Sequence, residues 1–218
     1  MPDPNLIPEH EAAKLLQENG IPYPEFGFAR NQQEAAEIAA RIGYPVVLKI
    51  IAKGVIHKSD IGGVIVNLIN KESVIEGFSQ LQSLITTGDS EAEFQGAIVC
   101  KQVQNGTELI VGGLHDVMFG PTLMVGMGGI FTEILKDVSF RVIPLQKIDA
   151  LEMLTELKGF PILKGARGTA KADLEALTGF LLKISDFMAQ NQWIKELDLN
   201  PVRISGDKIY VLDARILK

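Results

Sequence analysis

The sequence predicts an α+β fold, in which helices and strands are mixed without the regular β–α–β alternation of a doubly wound sheet. Three observations predict it. Apolar residues at helical spacing mark several helices, β-branched runs mark strands between them, and a strand–turn–strand pattern ends the chain. The 218 residues are 46% hydrophobic and 22% charged, which is ordinary for a globular protein. We therefore expect one domain with its own apolar core.

Two helices are predicted at the start of the chain. The first covers residues 8–19, with Pro8 in its first turn and Gly20 at its end. The second begins after Asn31, whose side chain can cap it, and ends at Gly43. Both helices carry apolar residues as one stripe, so each is expected to pack one face against a sheet.

A strand, a loop, a second strand and a helix follow. A β-branched run at 46–51 predicts a buried strand, and residues 52–63 form the loop after it. Residues 64–68 predict the next strand, and Asn70 caps a helix over about 71–85. The rest of the chain reads as strands and two more helices before the final hairpin. The predicted strands are 96–103, 108–114, 123–125 and 130–142, and the predicted helices are 146–157 and 170–191.

Charge and composition narrow the function classes. Lysine and arginine number 21 against 27 acidic residues, and a net charge of −6 argues against nucleic-acid binding. Cys100, the single cysteine, lies in an apolar run and is expected in the core rather than as a nucleophile. The N-terminus has no basic-then-apolar leader, and no apolar run approaches the ~18 residues that span a bilayer. We therefore expect a cytoplasmic protein.

Common nucleotide and hydrolase motifs are missing. Residues 126–129 read Gly-Met-Gly-Gly, but the third glycine of a dinucleotide fingerprint would fall on Phe131. Lys58-Ser59 is preceded by His57, where a Walker A loop needs glycine. No serine or cysteine occurs in a nucleophile-elbow pattern. These patterns argue against hydride transfer and common hydrolase chemistry.

The strongest candidate for a chemical site is the C-terminal hairpin. Side chains alternate along a strand, so Glu196, Asp198 and Asn200 share one face. If Gly206-Asp207 forms the turn, the register places Asn200 opposite Asp213, with Cβ atoms about 4.5–5.5 Å apart. A carboxylate in the apolar surroundings of Asp213 is costly to bury unless it is bound. Oxygen ligands with no His or Cys nearby indicate Mg²⁺. For Asn200 with Asp213 we favour this metal site over the alternative of a solvated polar face. Glu196 alone is expected to lie on such a solvated face.

The second candidate is the basic, glycine-bracketed loop that follows the strand at 46–51. Lys49 interrupts this apolar strand, and a lysine there must find an anion or reach solvent. Residues 49–58 hold three lysines and no acid. Backbone N–H groups of such a loop can hold phosphates. The competing interpretations are that Lys49 ends an edge strand and that His57 is an ordinary loop histidine.

Together these segments resemble an ATP-grasp domain, and specifically the nucleotide-binding β subunit of the NDP-forming acyl-CoA synthetases, such as ADP-forming acetyl-CoA synthetase. The succinyl-CoA synthetase β subunits are more distant, because their Gly-Arg-Gly type loop is replaced here by His-Lys-Ser-Asp. The segments that carry the resemblance are GYPVVLK at 43–49, HKSDIGGV at 57–64, GMGGIFTE at 126–133 and LDLNP at 197–201.

The resemblance implies a single ATP-grasp domain over residues 1–218 with two lobes. Each lobe would have a largely antiparallel sheet with packed helices, and the nucleotide would bind between the lobes. Residues of approximately 21–104 would form the smaller lobe. Residues 1–20 together with 105–218 would form the larger one.

The resemblance also assigns site residues. Lys49 would contact the nucleotide phosphates, and Ile56 and Lys58 would belong to a mobile phosphate loop. Arg141 and Arg167 are further candidates for phosphate contacts. The segment that binds adenine, largely through its backbone, would be Lys101, Gln102 and Val103. Glu108 would be the acidic residue near the ribose. Asn200 and Asp213 match the Mg²⁺ ligands. Asp198 aligns with an acidic position that ligates metal in some ATP-grasp enzymes.

The implied reaction is acyl-CoA + ADP + phosphate ⇌ carboxylic acid + CoA + ATP, with ATP or ADP as substrate. His57 matches a histidine that accepts the phosphoryl group and carries it to the nucleotide, which suits the nucleophilicity of neutral imidazole. Because the sequence has no CoA-binding Rossmann fingerprint, a CoA-binding α subunit is expected as partner, within a heterotetramer. That subunit would carry the CoA and acyl site and a phosphohistidine of its own. Two alternatives stay open: another ATP-grasp carboxylate ligase without phosphohistidine, and a non-catalytic nucleotide-sensing module.

Overall fold

The computed structural model describes residues 5–55, 58–86, 93–129, 135–166 and 170–218. They divide into two units. The smaller unit is Pro24–Val103, and the larger unit combines Asn5–Tyr23 with Gln104–Lys218. Whether both belong to one ATP-grasp domain with the lobe boundaries given above stays a prediction.

The helices and strands are numbered here in chain order. They are β1 (Leu6–Ile7), α1 (Glu9–Glu18), β2 (Phe26–Ala29), α2 (Gln32–Ile42), β3 (Val46–Lys53), β4 (Val64–Leu68), α3 (Lys71–Thr86), β5 (Glu93–Lys101), β6 (Thr107–Asp116), β7 (Gly120–Met127), β8 (Val138–Val142), α4 (Lys147–Glu156), α5 (Phe160–Leu163), α6 (Leu174–Gln190), β9 (Glu196–Ser205), β10 (Lys208–Val211) and β11 (Ala214–Leu217), with a 3-10 turn at Ser59–Ile61.

The smaller unit contains a four-stranded antiparallel sheet in the order β2-β5-β3-β4. Helices α2 and α3 pack on the face that carries Val46, Leu48 and Ile50. The opposite face of β3 carries Val47 and Ile51, which pack in a second apolar cluster. Apolar residues therefore line both faces of the central strand, which explains why its sequence is a continuous apolar run.

The larger unit contains a seven-stranded sheet in the order β1-β11-β9-β6-β7-β8, with β10 also paired to β9. All of its strand pairs are antiparallel. Helix α1 packs against β11, α4 against β8, and α6 against β7 and β10. The residues that point toward the core are fully buried and include Leu109, Val111, Leu123, Val125, Leu197 and Leu199.

The other face of this sheet is called the polar face below. It carries the alternate residues of the same strands, including Glu108, Asp198 and Asn200. These residues are half-buried or exposed. The larger unit thus buries one side of its sheet and leaves charged groups on the other, as antiparallel sheets commonly do.

The predicted α+β class is confirmed, and most predicted elements form. Asn31 caps α2 by accepting a hydrogen bond from the Glu34 amide at 2.9 Å. Asn70 caps α3 in the same way, accepting from the Ser73 amide at 2.8 Å. Cys100 is buried in β5, as expected of a core residue. Within the part of the chain that the structure describes, no helix is long and apolar enough to cross a membrane.

Two predictions of element bounds were wrong, and three short elements were not predicted. Within the described part of 130–142, the strand begins only at Val138, because residues 135–137 form a turn and loop. The helix predicted from residue 170 begins at Leu174, because Asp173 caps it by accepting from the amides of Glu175 and Ala176. The sequence also gave no signal for β1, β2 or the short α5, which are too short for a periodic pattern.

Candidate functional site

Lys49 is the charged residue within the central strand of the smaller unit. It is only 6% exposed, and its strand neighbours across the sheet are Val64 and Ile98. Alternation along β3 places its side chain on the same face as Val47 and Ile51. A buried ammonium group requires anionic or polar partners to offset its lost hydration. A phosphate group bound beside this face could be such a partner, which is the role predicted for Lys49.

The loop after β3 closes through a tight turn. The Gly63 amide donates to the Lys58 carbonyl at 2.7 Å, and Gly62 has a φ of 72°. A Cβ atom at Gly63 would lie 2.5 Å from Ile50 Cγ2 and 2.9 Å from the Lys58 carbonyl oxygen. The turn thus requires glycine at residue 63, and it fixes the backbone of Lys58. Ile56 and His57 lie outside the described residues, so their assigned roles stay predictions.

The segment assigned to adenine begins with Lys101, the last residue of β5, and its first two side chains already make hydrogen bonds within the fold. Lys101 Nζ donates to the carbonyl oxygens of Gly43 and Tyr44, each at 2.9 Å. The Gln102 side chain accepts from the Asn67 amide and donates to the Asn67 side chain, both at 2.7 Å. Val103 is half-buried at the end of the segment. A base bound here would therefore meet backbone groups rather than these two side chains.

Glu108 lies on the polar face of the larger unit, directly opposite Arg203 in the β6–β9 register. The two side chains form an ion pair between Glu108 Oε1 and Arg203 Nη2. The Gly128 amide donates to the Glu108 carbonyl at 2.8 Å, which holds the strand ends together. Arg203 was not among the predicted site residues, because strands β6 and β9 are far apart in the sequence.

The predicted register of the C-terminal hairpin is confirmed. Ser205 pairs with Lys208, and the same register continues across the gap between β10 and β11 to Leu199 and Ala214. The Asn200 amide donates to the Asp213 carbonyl at 3.1 Å. Asn200 is exposed and Asp213 is half-buried.

Asp198 lies two residues before Asn200 on the polar face, opposite Arg215 of β11 and Gly112 of β6. These positions have oxygen-donor side chains on adjacent strands. Within the described ranges, no three His, Cys, Asp or Glu side chains converge into a closed metal site. An open pair or trio of oxygen donors fits Mg²⁺, which typically takes one or two carboxylates and completes its shell with phosphates and water.

Arg141 on β8 is engaged by acidic side chains of α4. Its Nη2 lies 2.6 Å from Glu156 Oε1 and 3.5 Å from Glu152 Oε2. The hydrogen bonds from Arg141 and from the Ser139 hydroxyl lower the pKa of Glu156 to about 2. The same carboxylates raise the pKa of Arg141. A phosphate contact by Arg141 would have to open this ion pair, and Arg167 lies outside the described residues.

Comparison with known proteins matches an ATP-grasp domain model to residues 3–217. The chain is 45% identical, over 96% of its length and 90% of the relative, to the ADP-forming acetate–CoA ligase I subunit beta of Pyrococcus furiosus. Single-chain relatives, such as the Nitrosopumilus maritimus 4-hydroxybutyrate–CoA ligase at 39% identity, are matched over 98% of this chain and only 31% of theirs.

Solved structures agree with the sequence relatives. One is a Ca. Korarchaeum cryptofilum acetyl-coenzyme A synthetase 1 in complex with coenzyme A and Ca-AMPCP, at a TM-score of 0.95 and 41% identity, covering 98% of this chain and 93% of that one. A second structure of that synthetase holds Mg-AMPPCP and aligns at a TM-score of 0.85 and 39% identity, covering 98% of this chain and 92% of that one. The chain therefore belongs to the ATP-grasp family, in the branch formed by the ADP-forming acyl-CoA synthetases.

Proposed function

We propose that this chain is the nucleotide-binding subunit of an ADP-forming acyl-CoA synthetase, which interconverts acyl-CoA, ADP and phosphate with carboxylic acid, CoA and ATP. The observation that carries the proposal is similarity over nearly the full length to subunits named for this activity. The register that brings Asn200 and Asp213 together supports the same activity from the chain's own geometry.

The nucleotide is proposed to use residues of both units. In the smaller unit, Lys49 would neutralise phosphate charge, and its burial makes that electrostatic attraction stronger than it would be in water. The backbone of Gln102 and Val103 would bind adenine, since the side chains of Lys101 and Gln102 are already hydrogen-bonded. In the larger unit, Glu108 would meet the ribose.

Asn200, Asp213 and Asp198 would hold Mg²⁺ through their side-chain oxygens. When bound, the ion neutralises the charge that develops on the transferring phosphoryl group. These residues would orient the terminal phosphate, and catalysis of the phosphoryl step would come mainly from positioning and charge neutralisation.

His57 is proposed to carry the phosphoryl group. The acyl phosphate would first pass its phosphoryl group to a histidine of the CoA-binding partner as the carboxylate leaves. The ring nitrogen of His57 would then form an N–P bond to that phosphorus as the N–P bond to the partner's histidine breaks. The terminal oxygen of ADP would then attack the phosphorus, and the N–P bond would break to give ATP. A structure of the Korarchaeum synthetase is described with a phosphohistidine segment pointing towards its nucleotide binding site, which supports a phosphohistidine step in this type of reaction.

The acyl and CoA sites are proposed to lie on a CoA-binding α subunit, within a heterotetramer. Relatives of this chain are named subunit beta, and in single-chain relatives the matched part is only about 30% of the length.

An exposed apolar turn between β6 and β7 is a candidate contact for this partner. Val117, Met118 and Phe119 are mostly exposed there, and Asp116 fixes the turn by accepting from the amides of Met118 and Phe119.

The proposal is tested by incubating the chain with Mg-ATP and measuring phosphorylation by intact-protein mass spectrometry. We expect one acid-labile phosphoryl group on the wild-type chain and none on His57→Ala, with nucleotide binding retained. His115→Ala is the matched control and should be phosphorylated like wild type, because its ring bonds the Ile194 carbonyl in the fold.

A turnover assay with the CoA-binding subunit supplied separates the alternative functions. Normal turnover by His57→Ala, once the CoA-binding subunit is supplied, would contradict the relay and favour a ligase without phosphohistidine. Tight Mg-nucleotide binding with no phosphoryl transfer in the reconstituted enzyme would favour the nucleotide-sensing module.

A further inference from the structure

Arg215 occupies a position on the polar face among the proposed metal ligands. It lies two residues after Asp213 and directly opposite Asp198 in the β11–β9 register. Its neighbours along β11, Ala214 and Ile216, are buried in the core of the larger unit. Because side chains alternate along a strand, Arg215 projects on the opposite side, where its strand partner Asp198 also lies.

The guanidinium group of Arg215 has an unmet hydrogen-bonding need. Its Nε atom is shielded from solvent and has no hydrogen-bond partner among the described residues. A shielded donor without an acceptor is destabilising and uncommon in folded proteins, so it requires an explanation. The other two arginines of this sheet differ, because Arg141 and Arg203 each pair with a carboxylate.

The charges around Arg215 indicate what the missing acceptor is. Asp198 faces it and Asp213 lies two residues before it, and both are proposed above as Mg²⁺ ligands. Mg²⁺ that is held by one or two carboxylates brings phosphate oxygens with it. A phosphate oxygen is therefore the acceptor that this surface would bring to Arg215.

We propose that Arg215 binds the terminal phosphate of the metal-bound nucleotide, donating from Nε and one Nη. An arginine edge matches two phosphate oxygens, a geometry that a lysine cannot reproduce. This inference rests on the proposed function, since it requires Mg-nucleotide at this site.

The test compares ADP with AMP by isothermal titration calorimetry in Mg²⁺, using Arg215→Met, Arg215→Lys and wild type. AMP lacks the terminal phosphate of ADP, so the contact should affect ADP alone. We expect Arg215→Met to weaken ADP binding about 10- to 100-fold, the range for a lost charge-assisted hydrogen bond, and to leave AMP binding unchanged. Arg215→Lys should fall between the two. Lys208→Met, an exposed change on β10 of the same sheet, should match wild type.

The outcomes separate the inference from the proposed function. Unchanged discrimination between ADP and AMP in Arg215→Met would overturn the inference and leave nucleotide binding standing. An equal loss for both nucleotides would also overturn it, since that pattern indicates a structural role. If Arg215→Met does not fold, the result with Arg215→Lys decides, because loss of ADP preference is still expected there. Absence of Mg-ADP binding by the wild-type chain would overturn the proposed function itself, and the inference with it.

Discussion

The two units carry their charged groups in opposite ways. In the smaller unit, Lys49 is buried in a strand that is apolar on both faces, and Lys101 is fixed by two backbone carbonyls. In the larger unit, Asp198, Asn200 and Asp213 are half-buried or exposed on one face of a sheet. The smaller unit therefore builds these two lysines into its fold, whereas the larger unit carries the proposed metal ligands on one face of its sheet. Removing a member of each set should therefore have different consequences.

The largest expected effect on stability concerns the proposed metal ligands of the larger unit. In wild type, Mg-ADP at ~100 times its dissociation constant should stabilise the chain by about 2.7 kcal/mol. For a protein of this size, that gain raises the unfolding midpoint by roughly 5–11 °C. Asp213→Ala should lose this Mg²⁺-dependent shift while unfolding at nearly the wild-type temperature without ligand. Thermal unfolding with and without Mg²⁺ measures both quantities.

Asp207→Ala is the matched control for Asp213→Ala, because Asp207 is exposed in the adjoining turn and has no assigned ligand role. It should keep the full Mg-ADP shift. If Asp213→Ala kept the shift as well, the metal assignment would be wrong. If it instead unfolded far below wild type without ligand, the contrast between the two units would fail.

A smaller effect, on stability without ligand, is expected from Lys101 of the smaller unit. Lys101→Met removes a charged donor from the carbonyls of Gly43 and Tyr44, which are then left without this partner. The free energy of unfolding should fall by about 2 kcal/mol, the magnitude for hydrogen bonds to charged groups. Urea unfolding checks this, with Lys71→Met as the control at the exposed start of α3. Unchanged stability in Lys101→Met would show that these hydrogen bonds do not hold the smaller unit together.

The smallest expected effect concerns the ion pair between Glu156 and Arg141 in the larger unit. Glu156 is half-exposed and has a pKa of about 2 because Arg141 and Ser139 bond its charged form. Since this pKa is lowered on folding from 4.5, the unfolded chain binds the proton more readily. The stabilisation is therefore present above about pH 4.5 and is lost as the pH falls through 2.

Urea unfolding of wild type and Glu156→Gln at several pH values between 6 and 2 measures this loss. The stability difference between them should be largest near neutral pH and should shrink toward pH 2. Glu152→Gln should show a weaker trend, because Glu152 lies farther from Arg141 than Glu156 does. A difference that stayed constant with pH would mean that the ion pair does not lower the pKa as described.

The sequence predicted those features that depend on nearby residues. The caps at Asn31 and Asn70 form as expected, because a cap is decided within four residues. The pairing of Asn200 with Asp213 was also predictable, because a short turn sets the register of everything that follows it.

Features that depend on distant residues were missed. The Glu108–Arg203 ion pair joins strands that are 95 residues apart, and the bonds from Lys101 to Gly43 and Tyr44 span nearly 60 residues. No local pattern reports such pairings, because they are set by which strands become neighbours in the sheet. The two-residue strand β1 was missed for a related reason, since only its pairing with β11 makes it a strand.

The unbroken register from β10 into β11 also limits how this protein can be altered by insertion or deletion. Residues 212 and 213 lie between the two strands, and the buried positions change from 209 and 211 in β10 to 214 and 216 in β11. A residue inserted or deleted here would move either Asp213 out of line with Asn200 or β11 out of its pairing with β9. The length of this segment is therefore as much a part of the site as the identities of its side chains.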